Sequence, residues 1–339
     1  MLDGLHPGET GAVVKADAYG LGAAQVGPAL AAAGCGIFFT AHLAEAVALR
    51  VVLPEQTIAV LNGLFPHGAE EFYAHDLIPV LGSLGELADW QAAARRLGRV
   101  LPCFLHLETG MHRLGLSPEE LAVLAGDKSR LAGLRLDYVM THLVAADAPG
   151  DAANARQIRL FRELARQFPG AKTSIGNSSG MFLGADFHTD LARPGAALYG
   201  VNPTPGRPNP MRHVVTLTAP ILQIHDVGPG DSVGYSAEWR AERPSRIATL
   251  GVGYADGYHR SLGNKATAYF DDTPIPLVGR VSMDLTTFDV TDVNAQPGDM
   301  LTLLGQHLDA DALAAQAGTN GYEILTSLRG RFARRYIGA

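Results

Sequence analysis

Cysteine is nearly absent: the chain of 339 residues has two, Cys35 and Cys103. Both lie in apolar surroundings, so the expectation is buried free thiols in a reducing cytoplasm, not a disulfide framework. No Cys/His cluster shows zinc-ligand spacing, and no metal is expected. Positive charge is short as well: 27 Lys and Arg stand against 34 Asp and Glu, a formal net charge of −7. With no basic block, nucleic acid is an unsuitable partner. Long hydrophobic runs are missing too; Gly, Pro or charge breaks each one before membrane-spanning length. The opening MLDGLHPGET has neither a charged n-region nor an apolar h-region, unlike a secretory leader. What remains, 47% hydrophobic and 18% charged, is an ordinary soluble composition, long enough for one large domain or two of moderate size.

The first two-thirds alternate. Short β-rich runs stand at AVVKAD, GIFFTA, TIAVLNG, LIPVLG, CFLHLE, YVMTHL, KTSIGN and ALYG. Between most of them lie segments with helical spacing: VGPALAAAG, LAEAVALR, SLGELADWQAAARRLG, SPEELAVLAG and DAANARQIRLFRELARQF. Alternation of this kind predicts βαβ units, a parallel sheet and an α/β (β/α)8 TIM-type barrel at the compact end of its size range, over residues 1–210. After Tyr199 a Pro-rich stretch, VNPTPGRPNPM, reads as a linker. Beyond it strands follow one another at VVTLTAPILQIHDV, GPGDSV, SRIATLGVGY, KATAYFDDTPIPLVGR and LTTFDVTDV, with PG and DD as turns. This predicts a mostly-β C-terminal domain over residues 211–339, interrupted by one helix at Asp309 to Ala317.

Polar residues at the C-terminal ends of barrel strands build active sites, and several unusual residues fall there. Lys15 lies in the first run, His106 and Arg113 flank the fifth, and His142 ends the sixth. Asn177 and Ser178 follow the seventh, and Arg193 precedes Pro194 and Gly195 near the eighth. Taken singly, each has a plainer explanation. A lone barrel histidine is more often a structural hydrogen-bonding residue, and Asn-Ser after a strand is usually a turn or an N-cap. Their coincidence on one rim favours a site. The loops after strands seven and eight are where barrels often bind phosphate. A partly desolvated Lys15 would have a lowered pKa, freeing its amine for a Schiff base. Lysine, phosphate cradle and arginine together suggest pyridoxal phosphate (PLP). A class I aldolase-like lysine acting on a phosphorylated sugar competes, but leaves the β domain unexplained.

The chain also resembles the bacterial alanine racemases, the PLP-dependent family of fold type III with a barrel and a β domain. AVVKADAYGLG, ETGMHRLGL, THLVAAD, GNSSG, ARPGAALYG, VGYSAEW, GVGYADGYHR, VGRVSMDLT and GYEILTSLRGR carry the resemblance, in order along almost the whole chain. It implies that Lys15 forms the Schiff base and serves as one catalytic base, with Tyr235 as the second. Tyr19, Ser178, Gly195, Ala196 and Tyr322 would hold the cofactor phosphate. His142 would pack on the pyridine ring with Asn177 beside it, and Leu61 would line the ring pocket. Arg193 would bond the pyridine nitrogen. Arg113 would bond the phenolic oxygen and the substrate carboxylate, which the backbone N–H of Met283 would also take. Asp147, Tyr254, Arg260 and Arg280 would form the substrate entrance.

The resemblance further implies interconversion of L- and D-alanine, for peptidoglycan synthesis or D-alanine catabolism, in a head-to-tail homodimer whose partner supplies Tyr235. Within the fold, a broader amino-acid (serine) racemase and a non-catalytic PLP-binding barrel are the alternatives. A PLP-dependent decarboxylase of this fold class usually has a cysteine motif in the β domain, and no cysteine here lies beyond Cys103. Two departures stand out. Many relatives have a carbamylated lysine seven residues before the arginine equivalent to Arg113; here that position is His106, which forms no stable carbamate. Relatives also usually carry a strand and a helix before the lysine strand, where this sequence has Met1 to Gly11. Their loss is expected to expose apolar barrel surface or an edge in the β domain.

Overall fold

Runs such as Ile37–Thr40 and Ile78–Leu81 are buried at every position, the pattern of parallel strands covered on both faces. In the computed structural model, which describes residues 2–66, 68–328 and 330–338, seven such strands pair in parallel and in sequence order. They are Ala12–Val13, Ile37–Thr40, Thr57–Val60, Ile78–Leu81, Leu101–His106, Leu134–Met140 and Lys172–Ser174. Leu191–Ala192 pairs in parallel with Glu9–Thr10, just ahead of the first of them. Gly11 N donates to Ala192 O at 2.9 Å, Val13 N to Pro194 O at 2.9 Å, and Arg193 N to Gly176 O at 2.7 Å. These bonds close the sheet into the (β/α)8 barrel.

The eighth strand is not the expected ALYG. Ala196–Tyr199 is a 3-10 turn, and the strand is the two-residue Leu191–Ala192 before it. Pro194 has no N–H to extend the ladder, so pairing ends there. The expected helices appear at Ala23–Ala32, Leu43–Val52, Leu84–Leu97, Pro118–Gly126 and Ala152–Ala165, with a further short one at Ala69–Ala74. Leu84–Leu97 shows why they form. Ser83 caps it by accepting from Glu86 N at 3.2 Å, Arg95 and Arg96 complement the last turn, and Gly98 ends it at φ 61°. Its apolar face, Leu87, Trp90, Ala93 and Ala94, is buried, and Trp90 donates to Pro102 O of the fifth strand at 3.0 Å.

The second unit is an antiparallel sheet in the order Thr273–Pro276, Thr267–Phe270, Met300–Leu304, Leu217–Val227, Ser245–Leu250, Thr286–Asp289. Asp271, at φ 50°, turns the expected hairpin. Met300–Leu304 was not evident from sequence, and GPGDSV contributes only Ser232–Val233, paired with Trp239–Arg240. Val278 N donates to Thr287 O at 2.9 Å and Leu277 bridges Phe288, so the chain just past Thr273–Pro276 meets the strand at the other end of the sheet. The predicted helix is Ala310–Ala317, capped by Asp309, and Gly321–Ser327 follows it. The two compact units are Met1–Ala18 with Gly22–Leu198 and Pro203–Pro210, and Tyr19–Leu21 with Tyr199–Asn202 and Met211–Ala339. Cys103 is buried and Cys35 only partly so; both are free. Among the described residues no helix is long and apolar enough to cross a membrane.

Candidate active site

The lysine does not lie in its strand but just past it. After Val13 the chain enters a left-handed turn in which Ala16, Asp17, Ala18 and Tyr19 have φ of 53°, 54°, 54° and 54°. None is glycine, and left-handed backbone costs about 1–2 kcal/mol per L-residue. The turn is held from outside. Glu45 accepts from Ala16 N at 2.6 Å, and Asp17 Oδ1 accepts from Ala23 N at 2.7 Å. Lys15, at its start, has its pKa lowered by burial and then by the facing Arg113 guanidinium, with Glu45 opposing both.

Around this amine the barrel rim carries two guanidiniums, Arg113 and Arg193, and two imidazoles, His106 and His142. Arg193 is 4% exposed, and burial pushes its pKa down to about 10, so the guanidinium stays charged at neutral pH. It donates to Ser174 Oγ and, at 2.6 Å, to Thr141 O. Of its five N–H groups, no described residue takes the rest. His142 is pushed down to about 3, first by burial, then by Arg193, Arg113, His106 and Lys15. His106, which ends the fifth strand, is pushed down to about 4 by burial and then Arg193, with Glu108 opposing. Both imidazoles are therefore neutral at physiological pH.

Arg113 is exposed, on a loop that Glu108 organises by accepting from Gly110 N, from Met111 N at 2.7 Å and from His112 N at 2.8 Å. Ser178 Oγ accepts from Gly195 N at 2.9 Å and Ala197 N at 3.2 Å, so the expected cradle residues Ser178, Gly195 and Ala196 are gathered at one turn. Asn177 closes the same turn, accepting from Gly180 N at 2.8 Å. Leu61 follows the third strand, bonded through its N–H to Thr40 O, and Asp147 is exposed beyond the sixth.

The remaining candidates belong to the second unit. Tyr19 stacks on Tyr199 with ring centres 4.7 Å apart and tilts against Tyr322 at 6.3 Å. Burial, then the Tyr322 phenol, pushes the Tyr19 hydroxyl up to about 12. Tyr235 is 70% exposed on a turn that places Ser236 and Ala237 at positive φ. Arg280 pairs with Glu238 of that turn, and the Arg260 charge also faces Glu238. Tyr254 and Met283 lie on bonded loops, where Tyr254 N donates to Ser282 O and Ala255 N to Met283 O. Met283 is 54% exposed and Tyr254 40%.

Two residues that support this rim were not apparent from sequence. Gln157, on Ala152–Ala165, donates to Thr109 Oγ1 at 3.0 Å and His142 O at 2.9 Å and accepts from Val144 N at 2.8 Å. It fixes the backbone that carries His142. A polar residue on the buried stripe it shares with Ile158 and Phe161 was the available signal. Glu45 is the other.

Family models for the alanine racemase N-terminal domain and C-terminal domain match residues 2–203 and 214–336. The chain is 57% identical to an alanine racemase of Acidiphilium cryptum, covering 98% of this chain and 93% of that one. It is 51% identical to an alanine racemase of a Methylobacterium species, covering 97% and 91%. Its fold superposes on the crystal structure of alanine racemase from Bartonella henselae with covalently bound pyridoxal phosphate at a TM-score of 0.94, with 42% identity and 99% and 95% of the two chains covered.

Proposed function

Because the chain belongs to the alanine racemase family, we propose that it interconverts L- and D-alanine on PLP, with Lys15 and Tyr235 as the two bases. The observation that carries this is the rim itself: a desolvated amine facing Arg113, beside neutral His142 and a buried charged Arg193. The donor set fits the cofactor. Lys15 supplies an amine for its aldehyde, Arg193 keeps N–H groups for a ring nitrogen, and the Ser178 hydroxyl, which accepts from Gly195 N and Ala197 N, keeps its own proton to donate to a phosphate.

When bound, PLP supplies the electron sink that makes the amino-acid Cα proton removable. Lys15 Nζ then takes or returns that proton on the D face, its lowered pKa leaving more of the amine unprotonated near neutrality. Tyr235 Oη does the same on the L face. A free phenol, with a pKa of about 10, is a poor base in water, and at 70% exposure on its own chain Tyr235 needs a second surface to cover it. A partner copy in a head-to-tail dimer supplies that surface, and the Met283 N–H with it. Arg113 orients the substrate carboxylate. The enantiomers have equal free energy, so one site serves D-alanine supply for peptidoglycan and D-alanine catabolism alike. Incubation with L-alanine followed by chiral chromatography tests the assignment: D-alanine accumulating to equimolarity supports it, and unchanged L-alanine with PLP bound refutes it.

A buried arginine that stays charged would offer a pyridine nitrogen a hydrogen-bond donor but no group to accept or share an extra proton. Arg193 would thereby keep the electron sink weak and suppress transamination. Arg193→Glu is expected to raise pyruvate formed per racemisation event, and an unchanged ratio contradicts that role. At His106 a neutral, buried imidazole replaces the carbamylated lysine of many relatives. Intact-mass analysis is expected to find no added CO2, and bicarbonate to leave activity unchanged.

A further inference from the structure

Three helices of the barrel repeat one device. The third residue of each is a glutamate that caps its own helix with one carboxylate oxygen and, with the other, accepts an N–H from the stretch that follows the preceding barrel strand, which for Glu120 is the first residue of the helix before it. Glu120 accepts from Ser117 N and from Leu84 N, both at 3.0 Å. Glu86 accepts from Gly82 N at 2.6 Å and from Leu64 N at 2.9 Å. Glu45 accepts from Ala41 N at 2.9 Å and His42 N at 3.1 Å with Oε2, and from Ala16 N at 2.6 Å with Oε1. Only in the Glu45 case does the clasped segment begin with the lysine.

We propose that Glu45 is a positioning residue for Lys15, its carboxylate clasping the strained left-handed turn that aims the amine at the cofactor. The proposal rests on Lys15 being the residue that bonds PLP. Ala16 N is the first backbone donor after Lys15, and the residues that follow it hold positive φ without glycine. Such a turn persists only where its surroundings over-determine it. A carboxylate accepting backbone N–H groups makes charge-assisted bonds, stronger than neutral ones. The same charge acts on the amine: the groups facing Lys15 are Arg113, Glu45 and the neutral His142, and Glu45 alone favours the protonated form. Glu45 thus fixes where the amine points and keeps its basicity from falling further. Glu86 and Glu120 supply internal controls, because they make the same bonds away from the lysine.

The test uses the PLP-loaded protein and its Glu45→Gln, Glu45→Asp, Glu120→Gln and Lys15→Ala variants. The readouts are PLP release on dilution, the pH midpoint of the visible band, and melting temperature. Glu45→Gln is expected to release PLP about tenfold faster, the loss of a charge-assisted hydrogen bond, and to move the band's midpoint to lower pH. Glu45→Asp keeps the charge but shortens the reach, so it releases PLP faster with a midpoint nearer the parent's. Glu120→Gln loses melting temperature comparably but changes neither optical readout. If both Glu45 variants match Glu120→Gln in release and midpoint, the proposal is overturned. If instead Lys15→Ala still retains PLP after borohydride reduction, the assignment of Lys15 itself fails, a separately visible outcome.

Discussion

Tyr235→Phe is expected to cut racemisation by about 10^3-fold or more, the scale of losing a positioned acid–base group, while PLP stays bound. The substitution removes only the phenolic O–H. The ring that remains sits on a turn whose shape is set elsewhere, by positive φ at Ser236 and Ala237 and by the Arg280–Glu238 pair. The signature is an asymmetry, not a uniform loss. In deuterated water, Lys15 should still exchange the Cα proton of D-alanine, whereas exchange into L-alanine collapses. Proton NMR of each enantiomer reads this directly. Equal loss of both exchanges, or racemisation at the parent rate, contradicts the assignment of Tyr235 to the L face.

Lys15→Ala should have a larger effect, because under the proposed assignment it removes both a base and the amine that bonds the cofactor. Racemisation is expected to fall by more than about 10^4-fold, and the visible band of bound PLP should disappear. Borohydride should leave no pyridoxyl label at this position. The rest of the rim should stay folded: Arg193 keeps its bonds to Ser174 and Thr141, and Ser178 its bonds to the Gly195 turn. Phosphate-dependent weak PLP binding is therefore expected to survive. A normal visible band in Lys15→Ala would mean that another amine carries the cofactor.

The positions of these residues were legible because their chemistry interrupts a pattern. A lysine at the end of an apolar run, and histidines or arginines at the ends of others, stand out where burial on both faces otherwise demands Val, Ile, Leu and Phe. Seven barrel strands were legible for the same reason. The eighth was not, since Leu191–Ala192 is two residues long and leaves no periodicity. Met300–Leu304 was hidden because MLTLL suits a helix as well as a strand. Gln157 and Glu45 act through backbone groups 15 and 29 residues away, and no local spacing announces a partner at that distance. The left-handed turn after Lys15 was invisible because Ala and Tyr disfavour positive φ and Asp adopts it as an isolated residue, not in a run of four, so only the contacts around them impose it.

The central claim, that each site takes its lysine from one chain and its tyrosine from another, is tested most directly by mixing two inactive variants. Purified Lys15→Ala and Tyr235→Phe proteins are combined in equal amounts, allowed to exchange subunits, and assayed for D-alanine formed from L-alanine. With shared sites, a mixed dimer has one site with both defects and one with neither, so about one quarter of parental activity should return. No recovery in mixtures shown to contain mixed dimers would place both bases on a single chain and contradict the account.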